Sequence, residues 1–233
     1  MTDFKQIYAT RAAEYEQLVA REDYEGNLLP VLWGIRPFIH QTIVELGAGT
    51  GRLTRLLAPH AYRITALDIS PHMLGVAHKQ LDLAGLVRSV SLAAADNRHL
   101  PIAAETADLA IVGWSLGHFT GWYPNDWRVQ IEQSLDEMRR ILRPGGVIII
   151  LETLGTGRET PQPPTPALAA YYNWLENEHD FNHTWIRTDY RFASVDEAEA
   201  STRFFFGDDL ADHIHRDNLT ILPECTGIWW RTV

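Results

Sequence analysis

The residues of this sequence best suited to chemistry are a cluster of glycines and an acidic residue about twenty positions further along. Gly47, Gly49 and Gly51 directly follow a short apolar run, and Glu45 stands just before them. Glycines allow positive φ and let a ligand approach the backbone closely. Asp68 closes the next apolar run, where an acidic group can accept hydrogen bonds from both hydroxyls of a ribose. This pairing predicts a crevice that binds a nucleoside.

Three kinds of nucleoside ligand compete for this crevice. A nicotinamide or flavin dinucleotide requires G-x-G-x-x-G, but Arg52 occupies the third glycine position. A P-loop is excluded because no Gly-Lys-Ser/Thr follows. A nucleoside without a diphosphate remains. It fits Glu45, whose carboxylate would repel a pyrophosphate but suits an ammonium group.

The elements that position these residues alternate between strand and helix. Continuous apolar runs between helices are typical of a parallel sheet covered on both faces. We therefore expect a Rossmann-like, doubly wound α/β fold with a seven-stranded, mostly parallel sheet. The predicted strands are Thr42–Leu46, Arg63–Asp68, Val90–Ala95, Asp108–Trp114, Val147–Leu151, Trp185–Phe192 and Ile221–Thr232.

Helical spacing and end signals predict the helices between these strands. Ser70 followed by Pro71 is an N-cap with proline at the first helical position, and Gly85 ends that helix. The proline-rich segment Gly155–Pro166 is expected to be an extended loop. Residues before 40 are also expected to be helical. The other predicted helices are Asn27–Phe38, Trp127–Leu142, Ala167–Asn177 and Val195–Phe206, the last of which could form two pieces.

Composition excludes several classes of protein. The 233 residues carry 20 basic and 30 acidic side chains, a net charge of −10 that argues against nucleic-acid binding and an anionic membrane surface. The single cysteine, Cys225, excludes a disulfide framework and a multi-cysteine zinc site. No apolar run reaches the ~20 residues of a membrane span, and the first residues lack a secretion signal. We expect a soluble, cytoplasmic protein without a metal site, as a monomer or homodimer.

Five segments in order resemble the class I S-adenosylmethionine-dependent methyltransferases of the small-molecule type. VELGAGTGRLT resembles the first motif of that family, and ALDIS resembles its ribose-binding acidic motif. AADNRHLP resembles the segment that covers the adenine, ADLAIVGWSLGHF the fourth-strand motif, and LRPGGVIII the turn into the fifth strand. The resemblance covers about residues 40–152. The tail matches no substrate subclass that we can name.

The resemblance implies a role for each matching residue. The methionine end would be met by Glu45 and by the backbone of the glycine loop, Gly47, Ala48 and Gly49. Asp68 would hold the ribose hydroxyls. The other implied contacts are Ile69 and Met73 on the adenine, Asp96 and Asn97 at its amino group, Trp114 past the fourth strand, and Tyr8 or Tyr15 as a lid over the methionine end.

His118 is the candidate catalytic residue, because it follows the fourth strand where the acceptor should lie. Histidine titrates near neutrality and can remove a proton from a hydroxyl or amine. Methyl transfer often needs no base, however, because alignment of the nucleophile with the activated sulfonium provides much of the rate.

We expect one methyltransferase domain over residues 1–233. It would consist of an N-terminal helical lid (1–40), a cofactor-binding core (41–152) and an acceptor-side segment that completes the sheet (153–233) with a reversed final strand. Its predicted function is methyl transfer from S-adenosylmethionine to a small-molecule oxygen, nitrogen or carbon, with S-adenosylhomocysteine as product. The alternatives are a nicotinamide-dependent oxidoreductase and a non-catalytic S-adenosylmethionine-binding protein of the same fold.

Overall fold

The computed structural model describes residues 4–233, which form ten helices and nine strands. The helices are α1 (Phe4–Thr10), α2 (Ala12–Val19), α3 (Leu28–Ile35), α4 (Arg52–Leu57), α5 (Pro71–Leu83), α6 (His118–Trp122), α7 (Trp127–Ile141), α8 (Pro166–Asn177), α9 (Val195–Phe205) and α10 (Asp208–Asp217). The strands are β1 (Thr42–Leu46), β2 (Arg63–Asp68), β3 (Val90–Ala94), β4 (Ala107–Gly113), β5 (Leu142–Thr156), β6 (Asn182–Arg187), β7 (Tyr190–Arg191), β8 (Ile221–Leu222) and β9 (Glu224–Thr232).

Seven of the strands form one twisted sheet in the order β3-β2-β1-β4-β5-β9-β6. Strands β1 to β5 run parallel, whereas β9 is antiparallel to both of its neighbours. The predicted fold class is therefore confirmed, as is the reversed final strand. The carboxyl ends of β1, β2 and β4 meet at one edge of the sheet, where ligands of open α/β folds bind.

Both faces of the sheet are covered, which explains the continuous apolar runs in the sequence. One core cluster contains Leu46, Val112 and Trp229, and the opposite one contains Ile43, Ile111 and Ile149. The prediction of an N-cap at Ser70 is confirmed, because its side chain accepts a hydrogen bond from the Met73 N–H. This cap fixes the start of α5 directly after β2.

The tail differs from the sequence prediction in three places. The last strand is interrupted at Pro223, which has no N–H to donate to a ladder, so that β8 pairs with β7 in a separate two-stranded sheet. The predicted strand Trp185–Phe192 starts earlier, at Asn182, and breaks between β6 and β7. Helix α10 was not predicted; it is separated from α9 by Gly207, whose φ of +95° only glycine adopts readily.

A third core cluster ties the N-terminal helices to the tail. Leu18 on α2 packs with buried residues in or next to the small sheet and in α9 and α10, namely Tyr190, Phe192, Ala198, Ile214 and Leu222. We call α1, α2, β7, β8, α9 and α10 the cap. Residues 1–3 of the expected lid lie outside the described residues. Within residues 4–233, no helix is long and apolar enough to cross a membrane.

Candidate active site

The glycine loop between β1 and α4 has the strained geometry that its sequence predicts. Gly47, Gly49 and Gly51 have φ of +63°, +56° and +85°, a region that L side chains rarely adopt. A Cβ at Gly47 would also overlap the Ser115 hydroxyl. The loop therefore needs glycine both for its backbone conformation and for close packing against the residues that follow β4.

Asp68, at the end of β2, holds this loop in place. One carboxylate oxygen accepts a hydrogen bond from the Gly49 N–H and the other from the Ser70 N–H, both at 2.8 Å. Burial raises the pKa of Asp68, and these two backbone donors act in the opposite direction. Each oxygen retains a second lone pair that a ribose hydroxyl could use. The role of Asp68 in bracing the loop was not anticipated from the sequence.

Glu45 lies beneath the loop and is almost fully buried, with 2% of its surface exposed. Its carboxyl accepts a hydrogen bond of 2.5 Å from the Thr54 hydroxyl on α4. Burial raises the pKa of Glu45 to about 8 from its ordinary value of 4.5. An ammonium group in the adjoining cavity would favour the ionised carboxylate.

The predicted nucleoside residues line a cavity of about 540 Å³. Met73 is buried in its wall, whereas Ile69 remains 67% exposed. Asp96 is held by the guanidinium of Arg98, which lowers the pKa of its carboxyl. Asn97 donates to the Ser115 hydroxyl at 3.1 Å. These contacts fix the polar edge of the cavity.

Two tyrosines of the cap cover the glycine loop. Tyr8 on α1 and Tyr15 on α2 make an edge-to-face contact with ring centroids 5.4 Å apart. The backbone carbonyl of Tyr8 accepts a hydrogen bond from the Ser70 hydroxyl, which connects the cap to the start of α5. Burial raises the pKa of both phenols, which keeps them protonated near neutral pH.

His118 begins α6 and is hydrogen-bonded to Tyr8, with 2.9 Å between the imidazole Nε2 and the phenol oxygen. Its ring also stacks on Trp122 at a centroid distance of 4.9 Å. Burial lowers the pKa of His118 to about 4. A neutral imidazole of this kind is a weak base near neutral pH, so the geometry favours a positioning role.

A second cavity, of about 1060 Å³, adjoins the first and extends from the glycine loop towards the tail. Trp114 stands between the two with a φ of +51°, and its ring centroid is 3.7 Å from the Arg52 guanidinium. Arg52 is also paired with Glu22. Arg52 therefore connects the Trp114 ring to Glu22 on the wall of the larger cavity.

The structure brings every sequence-predicted site residue to one of these two adjoining cavities. The smaller cavity is lined by Asp68, Ile69, Met73, Asp96 and Asn97, the larger by Glu45 and Ala48, and both by Tyr8, Tyr15, Gly47, Gly49, Trp114 and His118. Their individual roles remain predictions.

Sequence reasoning missed two buried carboxyls of the larger cavity. Glu152 lies near the end of β5 and Glu224 begins β9, and each is at most 3% exposed. Burial raises the pKa of both to about 8. The sequence could have indicated Glu152, because it is an acidic residue directly after the apolar run that ends at Leu151. Glu224 carried no comparable local signal.

The residues present fit a nucleoside that carries a methionine group. The hydroxyl of Thr50 and one guanidinium nitrogen of Arg52 line the larger cavity, are buried, and have no hydrogen-bond partner among the described residues. Buried polar atoms of this kind need a partner, and a bound ligand would supply it. Within residues 4–233, no cluster of histidine, cysteine, aspartate and glutamate could hold a metal ion.

Comparison with known families agrees with this geometry. A family model described as "Methyltransferase domain" matches residues 44–150, which run from β1 to the middle of β5. Residues 44–150 therefore match a methyltransferase domain, as the resemblance of the sequence motifs predicts. S-adenosylmethionine is the cofactor of this domain family, which confirms the predicted family and cofactor.

Curated relatives resemble the same part of the chain. The ubiquinone/menaquinone biosynthesis C-methyltransferase UbiE of Wigglesworthia glossinidia brevipalpis is 29% identical over 115 residues, or 48% of this chain and 42% of that protein. The demethylmenaquinone methyltransferase of Clavibacter sepedonicus is 30% identical over 151 residues, or 60% of this chain and 57% of that protein. The chain thus spans about half the length of the curated relatives it matches.

A solved structure extends the likeness in fold to almost the whole chain. The S-adenosylmethionine-dependent methyltransferase of Aquifex aeolicus superposes with a TM-score of 0.56, covering 99% of this chain and 94% of that one. Its sequence identity is 12%, so this likeness concerns the fold.

Proposed function

We propose that this protein transfers a methyl group from S-adenosylmethionine to a small-molecule oxygen, nitrogen or carbon acceptor and releases S-adenosylhomocysteine. The observation that carries the proposal is the pair of adjoining cavities that meet at the glycine loop. One is lined by the residues expected to contact a nucleoside, and the other leaves room for a second molecule. Bound S-adenosylmethionine would supply a methyl group on a positively charged sulfur.

We assign the smaller cavity to the adenosine end. Asp68 would accept hydrogen bonds from the ribose hydroxyls with the lone pairs that its two backbone donors leave free. Met73 and Ile69 would flank the adenine, and Asp96 and Asn97 would meet its amino group. Arg98 would keep the Asp96 carboxylate ionised and correctly oriented, because it lowers the pKa of that carboxyl.

We assign the residues around the glycine loop to the methionine end. Glu45 would face the amino group, and the backbone of Gly47, Ala48 and Gly49 would contact the rest of that end. Tyr8 and Tyr15 would cover it and exclude water. His118 would hold Tyr8 in place through the hydrogen bond between their side chains. Excluding water strengthens every electrostatic interaction in the site and leaves the acceptor as the nucleophile at hand.

Isothermal titration calorimetry of the purified protein with S-adenosylhomocysteine and with NADH tests the cofactor. We expect S-adenosylhomocysteine to bind and NADH to give no heat of binding. The reverse result would support the oxidoreductase alternative instead. Transfer of a tritiated methyl group from S-adenosylmethionine to a panel of small acceptors tests turnover, because a non-catalytic binding protein would label none of them.

A further inference from the structure

Glu152 lies on the wall of the larger cavity, near the junction with the smaller one. It belongs to β5, keeps 3% of its surface exposed and lines this cavity. Its Oε1 accepts a hydrogen bond of 2.8 Å from the Gly117 N–H. The next residue, His118, lines both cavities and is hydrogen-bonded to Tyr8. The carboxyl is therefore close to the place where a methyl group would pass from the cofactor to the acceptor.

Gly117 leaves room for this carboxyl at the cavity wall. Its φ of −55° and ψ of −29° are helical values that any residue adopts, so its backbone conformation does not require glycine. An added Cβ would lie 2.8 Å from Oε2 of Glu152 and 3.0 Å from a methyl carbon of Leu168. All three residues line the larger cavity. Glycine is needed here because a side chain would displace the Glu152 carboxyl.

The carboxyl of Glu152 has no charged partner. No lysine, arginine or histidine of the described residues 4–233 forms an ion pair with it, and burial raises its pKa to about 8. The backbone N–H groups of Gly117 and Leu116 act in the opposite direction. A buried carboxyl without a cation favours its neutral form, which carries an O–H group that donates a hydrogen bond.

The neighbouring tyrosines leave this O–H group free. Burial, followed by the charge of Glu152, raises the pKa of Tyr171 and Tyr172, yet neither phenol is hydrogen-bonded to the carboxyl. Tyr172 donates to the Thr153 carbonyl at 2.8 Å, and the Tyr171 phenol has no partner among the described residues. Glu224 has a fully enclosed oxygen without a partner, whereas Glu152 has none. Oε2 of Glu152 therefore remains open to a molecule in the cavity.

The rest of the cavity wall around Glu152 is apolar and aromatic. Leu168 and Ala167 line it from α8, and Trp122 stacks on the His118 ring at a centroid distance of 4.9 Å. The aromatic rings further along the wall include Phe4, Tyr190, Phe205 and Phe206. Such walls suit a flat apolar molecule, and a single polar group among them fixes its orientation. A charged ligand would lose its hydration there without gaining an ion pair from Glu152.

We propose that Glu152 selects the methyl acceptor by donating a hydrogen bond from its neutral carboxyl to an oxygen substituent of an uncharged aromatic molecule. This inference rests on the proposed function and specifies the acceptor of that same site. An ammonium ion would find no counter-charge at Glu152, and a hydrocarbon would leave the O–H group unpaired. Because a hydrogen-bond donor withdraws electron density from the oxygen it contacts, the methyl group would go to another atom of the molecule.

Ring compounds of one shape that differ in a single group test this proposal. Indanone, indane and aminoindane, and likewise tetralone, tetralin and aminotetralin, are titrated by calorimetry into protein saturated with S-adenosylhomocysteine. The deciding quantity is the ratio of ketone affinity to hydrocarbon affinity, because damage to the fold lowers both alike. Glu152→Met keeps the length of the side chain but removes the donor, so it should lower this ratio about fivefold or more in at least one series.

Two further variants provide the matched comparisons. Glu152→Gln keeps an oxygen for the Gly117 N–H and supplies an N–H donor to the ligand, so its affinity ratio should stay within about twofold of the wild-type value. Glu159→Met makes the same change as Glu152→Met at an exposed carboxyl outside the cavity wall. It should alter neither the ratio nor the affinity for S-adenosylhomocysteine.

Each other outcome has a definite meaning. An unchanged ratio in Glu152→Met would overturn the proposal, as would an equal loss in Glu152→Met and Glu152→Gln. Aminoindane that binds more tightly than indanone, and loses this advantage in Glu152→Gln, would show that Glu152 acts as a charged carboxylate instead. Failure of every ring compound to bind would contradict an aromatic acceptor. Failure of S-adenosylhomocysteine to bind to the wild-type protein would contradict the proposed function itself.

Discussion

The two cavities of this protein are built in different ways. The smaller one is lined mainly by residues between Gly47 and Tyr123, which come from the carboxyl ends of four adjacent parallel strands and the segments after them. The larger one draws on residues from Phe4 to Glu224, so that both ends of the chain must meet to form it. The first cavity depends on short sequence segments, and the second depends on the whole tertiary structure.

This difference explains why one cavity can be assigned to a cofactor and the other only to a class of acceptor. A glycine turn and a strand-end carboxylate are local features that keep the same meaning wherever the fold recurs. The acceptor cavity is shaped by cap and tail elements that each member of such a fold can vary independently. The predictions below test whether the two regions also respond separately to mutation and pH.

The largest effect is expected for Gly47→Ala in the glycine loop. The new methyl group would overlap the Ser115 hydroxyl, and alanine would be held at a φ of +63°. A left-handed conformation and overpacking each cost roughly 1–3 kcal/mol, so S-adenosylhomocysteine affinity should fall by about 2–4 kcal/mol in calorimetry.

Gly75→Ala is the matched control for this change. Gly75 lies in α5, and an added Cβ there has no atom within 4 Å. The variant should bind S-adenosylhomocysteine normally and gain about 0.5–1 kcal/mol of stability from the higher helix propensity of alanine. Normal affinity in Gly47→Ala would show that the loop does not form the cofactor site.

The sequence was sufficient to predict the cofactor region because the relevant signals are local. Gly47 and Asp68 flank strands whose apolar runs are visible in the sequence, and the parallel order of those strands brings them together. Glu224 shows the opposite case. Its burial depends on the pairing of β9 with β5 and on the break at Pro223, which separates it from β8. No pattern near residue 224 reports a partner strand about seventy residues earlier in the chain.

The next effect concerns the carboxylate that braces the loop. Asp68→Ala removes the acceptor of two backbone N–H groups and leaves the ribose hydroxyls unpaired. S-adenosylhomocysteine affinity should fall by about 1–3 kcal/mol, the cost of unsatisfied buried polar groups. Calorimetry measures this change, and Asp82→Ala on the exposed side of α5 is the control. Unchanged affinity would remove Asp68 from the cofactor site.

A pH effect is expected from the buried acids of both regions, and Glu152 is the acid tested in the larger cavity. Burial raises the pKa of Glu152 to about 8 from 4.5, so the native protein retains a proton that the unfolded chain has already released between these values. Stability must therefore fall as the pH rises through this window. From pH 6 to pH 8 this group should cost about 2 kcal/mol of unfolding free energy, measured by urea denaturation.

Glu152→Gln isolates that contribution. The carboxamide oxygen can still accept the Gly117 N–H, but it does not titrate, so the variant should lose stability less steeply than the wild type over the same pH range. Glu45 and Glu224 have similarly raised pKa values, so the variant should retain the part of the pH dependence of its unfolding free energy that these two carboxyls cause. Identical pH dependence in the variant and the wild type would mean that Glu152 is ionised in the native protein.

The smallest effect is expected at the boundary of the two regions, where His118 lines both cavities. Burial lowers the pKa of its imidazole to about 4, so the ring should remain neutral from pH 5.5 to pH 8.5. Nitrogen-15 shifts of the histidine rings, assigned by comparison with His118→Gln, would then show a flat profile for this residue. A flat profile would make His118 the positioning partner of Tyr8. A midpoint between pH 6 and pH 7 would instead restore His118 as a candidate general base, at a position that borders both cavities.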